Sequence, residues 1–320
     1  MPKAYIGESI DYPGALHAWM AFMRPKTWWI AMMPVFATLT LAYSERHAFD
    51  PIVALFTLSI ALLMQAITNM QNDLGYTERK AETGNRKGLP RATALGWISI
   101  KAARTAIRLT MLLALANTLI LVYFGGWIFA LIGIFSVLAA YSYMGGPRPI
   151  AYTPFGELTV LLFFGLTAVC GTYYLQTGTW SVNMILLGIA LGCIASSVLC
   201  VNNFRDREHD KSVGRHTLAV ILGADRFKRV FTALVMLPYG LVGMMVLADM
   251  AYWPYFLVMV SFPDCMHLPE RMMTLKGEAL NEVMFACVRL EVKFSMLFAI
   301  GALVQALLVD LTVSTLQLPL

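Results

Sequence analysis

Charge and cysteine are both scarce in this chain of 320 residues, and each scarcity removes a class of function. Charged residues make up 13% of it against 58% apolar ones, with a mean hydropathy of +0.66, so an ordinary soluble domain is excluded. The five cysteines, Cys170, Cys193, Cys200, Cys265 and Cys287, show no CxxC or Cys/His spacing and lie mostly within apolar runs. They read as small core residues rather than as a disulfide framework or a zinc site. No cleavage-site pattern precedes the first apolar run, which makes that run a retained helix and not a signal peptide.

What the chain has in abundance is apolar length. Stretches that fit a bilayer run from Thr27 to Tyr43, Pro51 to Leu74, Ala103 to Tyr123, Trp127 to Tyr143, Phe155 to Gln176, Val182 to Asn202, Phe227 to Leu247 and Val292 to Val309, with a short one from Tyr252 to Phe262. The expectation is an all-α, polytopic membrane bundle of about nine transmembrane helices around a polar cavity that faces the cytoplasm. Residues 24–310 form its single transmembrane domain, residues 1–23 a segment lying on the membrane surface, and residues 311–320 a tail. With the N-terminus in the cytoplasm, 23 of the 24 Lys and Arg fall on the inner side and only Arg46 falls outside. The net charge of +5 is then a signature of topology and of contact with anionic lipid, not of nucleic acid. This is the arrangement of a protein of the bacterial inner membrane.

Two polar islands interrupt the apolar pattern. VNNFRDREHDKSVGR, Val201 to Arg215, follows a long apolar run, and a continuing helix stacks Asn202, Asp206 and Asp210 four residues apart on one face. Carboxylates with an amide one turn before them suit a hard divalent cation such as Mg²⁺, which takes oxygen ligands and shares itself with phosphates. The cations Arg205, Lys211 and Arg215 beside them suit a diphosphate. The upstream island, Asn69 to Arg91, repeats the design: Asn69 and Asp73 four apart, Asn72 adjacent, then Arg79, Lys80, Arg86, Lys87 and Arg91. Asn69 lies inside an apolar stretch, where a polar group needs a partner or a water-filled cavity. Gln65 lies one turn earlier on the same face. Two clusters of one design read as halves of one site.

Other features are open to plainer readings. RPKTWW, Arg24 to Trp29, has the cations and tryptophans of an interfacial anchor. GGPRPIAY, Gly145 to Tyr152, is a loop in which prolines deny a helix. Glu157 is an acid close to the apolar core, for which a hydrogen bond to a neighbouring helix is the plain account. In FFGLTAVCGTYY, Phe163 to Tyr174, Gly165 and Gly171 allow close helix approach. Pro263 to Arg289 is long for a connection and is placed as a cap over the cytoplasmic mouth.

Both islands resemble the Asp-rich motifs of the intramembrane UbiA-type prenyltransferase superfamily, and most of all its 1,4-dihydroxy-2-naphthoate polyprenyltransferase branch. Asn202 to Gly223 is similar to that branch's second motif almost throughout; Tyr141 to Leu158 and the following FFGLTAVCGTYYLQTG resemble its central loop and fifth helix. RPKTWW and KGEALNE are weaker matches. The first motif departs from the pattern: where the branch has a second Asp this chain has Tyr76, with Glu78 and Glu82 nearby. The resemblance implies transfer of a polyprenyl group from polyprenyl diphosphate to 1,4-dihydroxy-2-naphthoate, with loss of carbon dioxide and diphosphate, giving demethylmenaquinone. It implies Asp73, Asp206 and Asp210 as catalytic residues that hold Mg²⁺ with Asn69, Asn72 and Asn202. Arg86, Arg91, Arg205, Lys211 and Arg215 then bind the diphosphate, Lys26, Arg148 and Tyr152 the acceptor, and Phe163, Phe164, Tyr173 and Tyr174 line a tunnel for the tail. The rival readings are another aromatic acceptor such as 4-hydroxybenzoate, a secondary transporter, and a catalytically silent membrane scaffold.

Overall fold

Within hydrocarbon a backbone must satisfy its own hydrogen bonds, and an apolar chain does so by coiling into helices. A computed structural model of the chain, describing residues 12–81 and 89–316, contains helices and no strand among the described residues. In order they are α1 (Ala15–Met23), α2 (Trp29–Arg46), α3 (Pro51–Glu78), α4 (Ile100–Gly125), α5 (Ile128–Ser142), α6 (Gly156–Thr177), α7 (Val182–Arg205), α8 (Arg207–Ser212), α9 (Leu218–Ala248), α10 (Phe262–Met266), α11 (Leu268–Thr274) and α12 (Leu280–Leu316). Six of them, α3, α4, α6, α7, α9 and the stretch containing α12, are long and apolar enough to cross a membrane. Their outward faces carry Leu109, Leu112, Leu119, Leu237 and Leu311, as a lipid-facing surface requires. The protein is an integral membrane protein.

The remaining expected spans are shorter or differently built. Helix α5 has 15 residues. The stretch Met250–Ser261 is a 3₁₀ helix of 12 residues, and at about 2.0 Å per residue it reaches about 24 Å where an α-helix would reach about 18 Å. Helix α9 begins well before the expected Phe227 because it is two pieces joined at Gly223, whose φ of 70° only glycine adopts freely.

Local chemistry sets the boundaries. Asp50 accepts hydrogen bonds from the amides of Ile52 (2.8 Å) and Val53 (3.1 Å) ahead of Pro51, and Ser99, Ser181 and Thr217 cap α4, α7 and α9 in the same way. At the N-terminal side, α1 docks Ala18 and Phe22 on Ala66, Met70 and Leu74 of α3, while Leu16 and Met20 face outward. Helix α12 continues past the expected boundary at residue 310.

The axis of the bundle is α7. Of its apolar window 78% is buried, against 22–44% for the other spans, which is the signature of a helix surrounded on all sides. Gly188 and Gly192 bring α6 against it: a Cβ on Gly192 would meet the carbonyl oxygen of Leu161 at 2.6 Å. On the α6 side the contact falls in a π-helical segment, Leu161–Thr167. Glu157, at the start of α6, is tied to the same helix, its carboxylate accepting from Asn203 (2.8 Å) and its carbonyl from the hydroxyl of Ser196 (2.8 Å). Because α7 is central, the polar residues at its C-terminal end are delivered to the middle of the bundle.

Candidate active site

The two polar islands touch. Arg215 of the second donates to the hydroxyl of Tyr76 and to Asp210 (2.6 Å), and His209 is hydrogen-bonded to the carbonyl of Ala81 (2.8 Å). Arg91 donates to the side chain of Asn72 (3.1 Å) and lies over the Tyr76 ring at 3.6 Å. Tyr76, standing where the resembling branch has a carboxylate, is thus a buried phenol stacked beneath Arg91 and bonded to Arg215. Burial opposes the charge on Arg215, yet Tyr76 and Asp210 beside it raise the guanidinium above its ordinary value. The polar group inside the apolar part of α3 is also satisfied: Asn69 donates to the carbonyl of Met23 (2.9 Å) and the hydroxyl of Thr27 (3.0 Å), and Gln65 donates to the same hydroxyl (3.0 Å). These bonds hold the end of α1 and the turn that leads into α2 against α3.

Beside these contacts opens a cavity of about 240 Å³. One end is polar, with Arg24, Gln65, Asn69, Asn72, Asn202 and Arg205 in its wall. From there it follows one face of α3 back to Thr57, about 22 Å at about 1.5 Å per residue, opposite Phe163, Phe164, Thr167 and Gly171 of α6, and ends at Leu121, Phe129 and Leu175. The arrangement accepts an amphiphile: an anionic head among amides and guanidinium groups, an apolar tail along the helices.

Several expected positions lie elsewhere. Neither Tyr173 nor Tyr174 lines the cavity: Tyr173 is buried on the side of α6 opposite Gly171 at 3.6 residues per turn, its hydroxyl donating to Glu45 (2.5 Å), and Tyr174 packs between Phe129 and Trp180. Of the three acceptor positions none reaches the wall. Lys26 sits over the Phe285 ring at 5.9 Å, Arg148 is exposed in its turn, and Tyr152 packs against Arg79 and Arg215. From the anchor motif it is Arg24, not Lys26, that lines the cavity, in a left-handed conformation with φ 54°. Lys211 is exposed. Glu78 pairs with Arg104 (2.7 Å) on the outside of the bundle. Arg86, Lys87 and Glu82 lie outside the described residues.

The three carboxylates stand behind the wall rather than in it. Asp73 is fully buried and accepts hydrogen bonds from the amides of Ala92 (2.9 Å) and Thr93 (3.0 Å) and the hydroxyl of Thr93 (2.6 Å), anchoring the turn after the first island. Asp210 is committed to Arg215. Asp206 is held in two-point fashion by Arg205, Nε to Oδ1 at 2.9 Å and Nη2 to Oδ2 at 2.8 Å. Among the described residues no group of three His, Cys, Asp or Glu side chains gathers as a metal site. The donor chemistry nonetheless fits a hard divalent cation on the Asp206 side: Asn69, Asn72 and Asn202 put amide groups in the cavity wall, and both oxygens of Asp206 already hold a cationic group, the guanidinium of its neighbour. Asp73, enclosed by three donors, fits an anchor better than a ligand.

Comparison with known proteins bears on this geometry. The profile of the UbiA prenyltransferase family matches residues 31–285. The 1,4-dihydroxy-2-naphthoate octaprenyltransferase of Escherichia coli (strain K12) is 35% identical over 227 residues, covering 68% of this chain and 73% of that one. The enzyme of the same name from Bacillus subtilis (strain 168) is 30% identical over 268 residues, 81% of each chain. Among solved structures, a UbiA homolog from Archaeoglobus fulgidus bound to GPP and Mg²⁺ superposes with a TM-score of 0.65 at 16% identity, covering 90% of this chain and 99% of that one.

Proposed function

The chain belongs to the UbiA prenyltransferase family, and from that premise we propose that it moves a polyprenyl group from polyprenyl diphosphate to 1,4-dihydroxy-2-naphthoate, releasing diphosphate and carbon dioxide. The observation that carries this reading is one continuous cavity in which amides and guanidinium groups at one end lead into an apolar passage along α3 and α6. A polyprenyl diphosphate has the same division, an anionic head and an apolar tail.

The diphosphate lies at the polar end, where Arg205 and Arg24 face it and Arg91 steadies Asn72. Mg²⁺, when bound, neutralises the leaving diphosphate; Asp206 with Asn69, Asn72 and Asn202 are the residues that would hold it. Guanidinium groups already in place need no reorganisation as charge builds on the leaving group, which lowers the barrier to breaking the allylic C–O bond. The allylic carbon then sits among Phe163, Phe164 and apolar α3 side chains. These exclude water from a cationic centre, and the ring faces are attractive to it. In this reading the polar end faces the cytoplasm of a bacterial cell, an orientation that the Lys and Arg bias supports.

The test is the product. Membranes containing the protein, incubated with Mg²⁺, a labelled polyprenyl diphosphate and either dihydroxynaphthoate or 4-hydroxybenzoate, are expected to yield a decarboxylated prenyl naphthalene identified by mass. A prenylated hydroxybenzoate, or no Mg²⁺-dependent product, would overturn the reading.

Tail length gives a second check. A Cβ on Gly171 would meet only a ring carbon of Phe129, at 3.7 Å, in the cavity wall. Gly171→Leu therefore fills the inner end without a backbone clash. Its expected effect is a KM at least about tenfold higher for long prenyl diphosphates and unchanged for short ones, as loss of several buried methylene contacts implies. Equal KM changes for all lengths would show that the tail does not run past this residue.

A further inference from the structure

Arg205 has a second partner that neither polar island supplies. Its Nη1 donates to the side-chain oxygen of Asn281 at 2.5 Å, from the first turn of α12, while Nε and Nη2 grip Asp206. A guanidinium offers five N–H donors in a rigid fork. Three are used, and the side chain is 1% exposed yet part of the cavity wall. With both edges fixed, the direction of the two remaining donors is fixed as well. Met284, one turn after Asn281, lines the same cavity.

We infer that Asn281 is a positioning residue for the transfer reaction: it locks the Arg205 guanidinium so that its spare donors face the diphosphate, and it does so without neutralising it. The inference rests on the reading given above. Neutrality is the point of an amide here. A carboxylate at 281 would make the stronger bond to Arg205 but would withdraw the positive charge from the incoming anion. The adjacent acid, Glu282, is exposed and pairs with Arg271 (3.2 Å) instead.

Two substitutions separate this role from simple packing. Asn281→Ala is expected to weaken binding of inorganic diphosphate, measured by calorimetric titration with and without Mg²⁺, by about tenfold, the usual worth of one hydrogen bond to a charged group. KM for the prenyl diphosphate should rise with it while KM for the aromatic acceptor stays fixed. Asn281→Asp, which preserves the bond, should bind diphosphate more weakly still, and in an Arg205→Ala background neither substitution should add a further loss. Asn281→Asp behaving as the unmodified protein, or Asn281→Ala costing the same with and without Arg205, would overturn the inference. Unmodified protein that binds no diphosphate would overturn the functional reading and the inference together, whereas a prenylated product of another aromatic acid would overturn the acceptor alone.

Discussion

Asp206→Asn is expected to lower diphosphate release from a polyprenyl donor by about a thousandfold while the protein still folds, since removing one preorganised group at a developing charge typically costs about 10²–10³ in rate and here a metal ligand and the partner of Arg205 go together. The substitution keeps shape. An amide oxygen still accepts one bond from Arg205, so that guanidinium remains tethered to residue 206 as well as to Asn281. It loses the negative charge against which Arg205 is held, in a pair whose side chains are 1% and 5% exposed. Breaking a buried pair on one side costs up to about 3–5 kcal/mol, and the retained amide bond and the adjoining cavity place this case at the lower end. The check is Mg²⁺-dependent release of labelled diphosphate, read beside the thermal midpoint in detergent. A variant keeping more than about a tenth of the rate would remove Asp206 from the metal site.

Gly165→Val is expected to prevent the bundle from assembling, and Gly165→Ala to lower the thermal midpoint sharply. A Cβ at this position would run into the carbonyl oxygen of Gly188 and lie 2.5 Å from Cα of Gly192. Those obstacles are backbone atoms of the central helix and cannot rotate aside. Overpacking against movable side chains costs about 1–3 kcal/mol; against two backbones it forces α6 away from α7. The displacement would also carry Phe163 and Phe164 off the cavity wall. Gly171→Ala on the same helix is the control, because its Cβ meets nothing nearer than 3.7 Å. Equal melting of the two alanine variants would show that the α6–α7 approach does not hold the bundle together.

Both predictions depend on information of different kinds. The chemistry around Asp206 is legible in the sequence, since an amide and two carboxylates at four-residue spacing with cations between them have few other uses. The importance of Gly165 is legible only in part: small residues on α6 announce close approach, but the same argument applied to Gly171 and is wrong there, where the space is open cavity. Nothing in the sequence distinguishes them, because the rotation of α6 about its axis is set by Gly188 and Gly192 on a helix it meets only after folding. The same rotation explains why Phe163 and Phe164 face the passage while Tyr173 is spent on Glu45, and why Arg24 reaches the wall from the anchor motif while Lys26 is drawn to Phe285.

By itself the sequence determined that this is a helical membrane protein, for the bilayer admits few other solutions to long apolar runs, and that two polar islands belong together, because isolated amides and acids in hydrocarbon are too costly to scatter. Only the tertiary structure decided which of those polar groups line the cavity and which are spent inside the protein: Asn69, Asn72, Asn202 and Arg205 stand in the wall, Asp73 is spent on the turn at Ala92 and Thr93 and Asp210 on Arg215, while Asp206 sits behind the wall on an arginine that Asn281 also holds. The reason is that helical periodicity fixes neighbours along one helix, whereas partner choice between helices depends on distances of a few ångströms that arise only when the bundle closes.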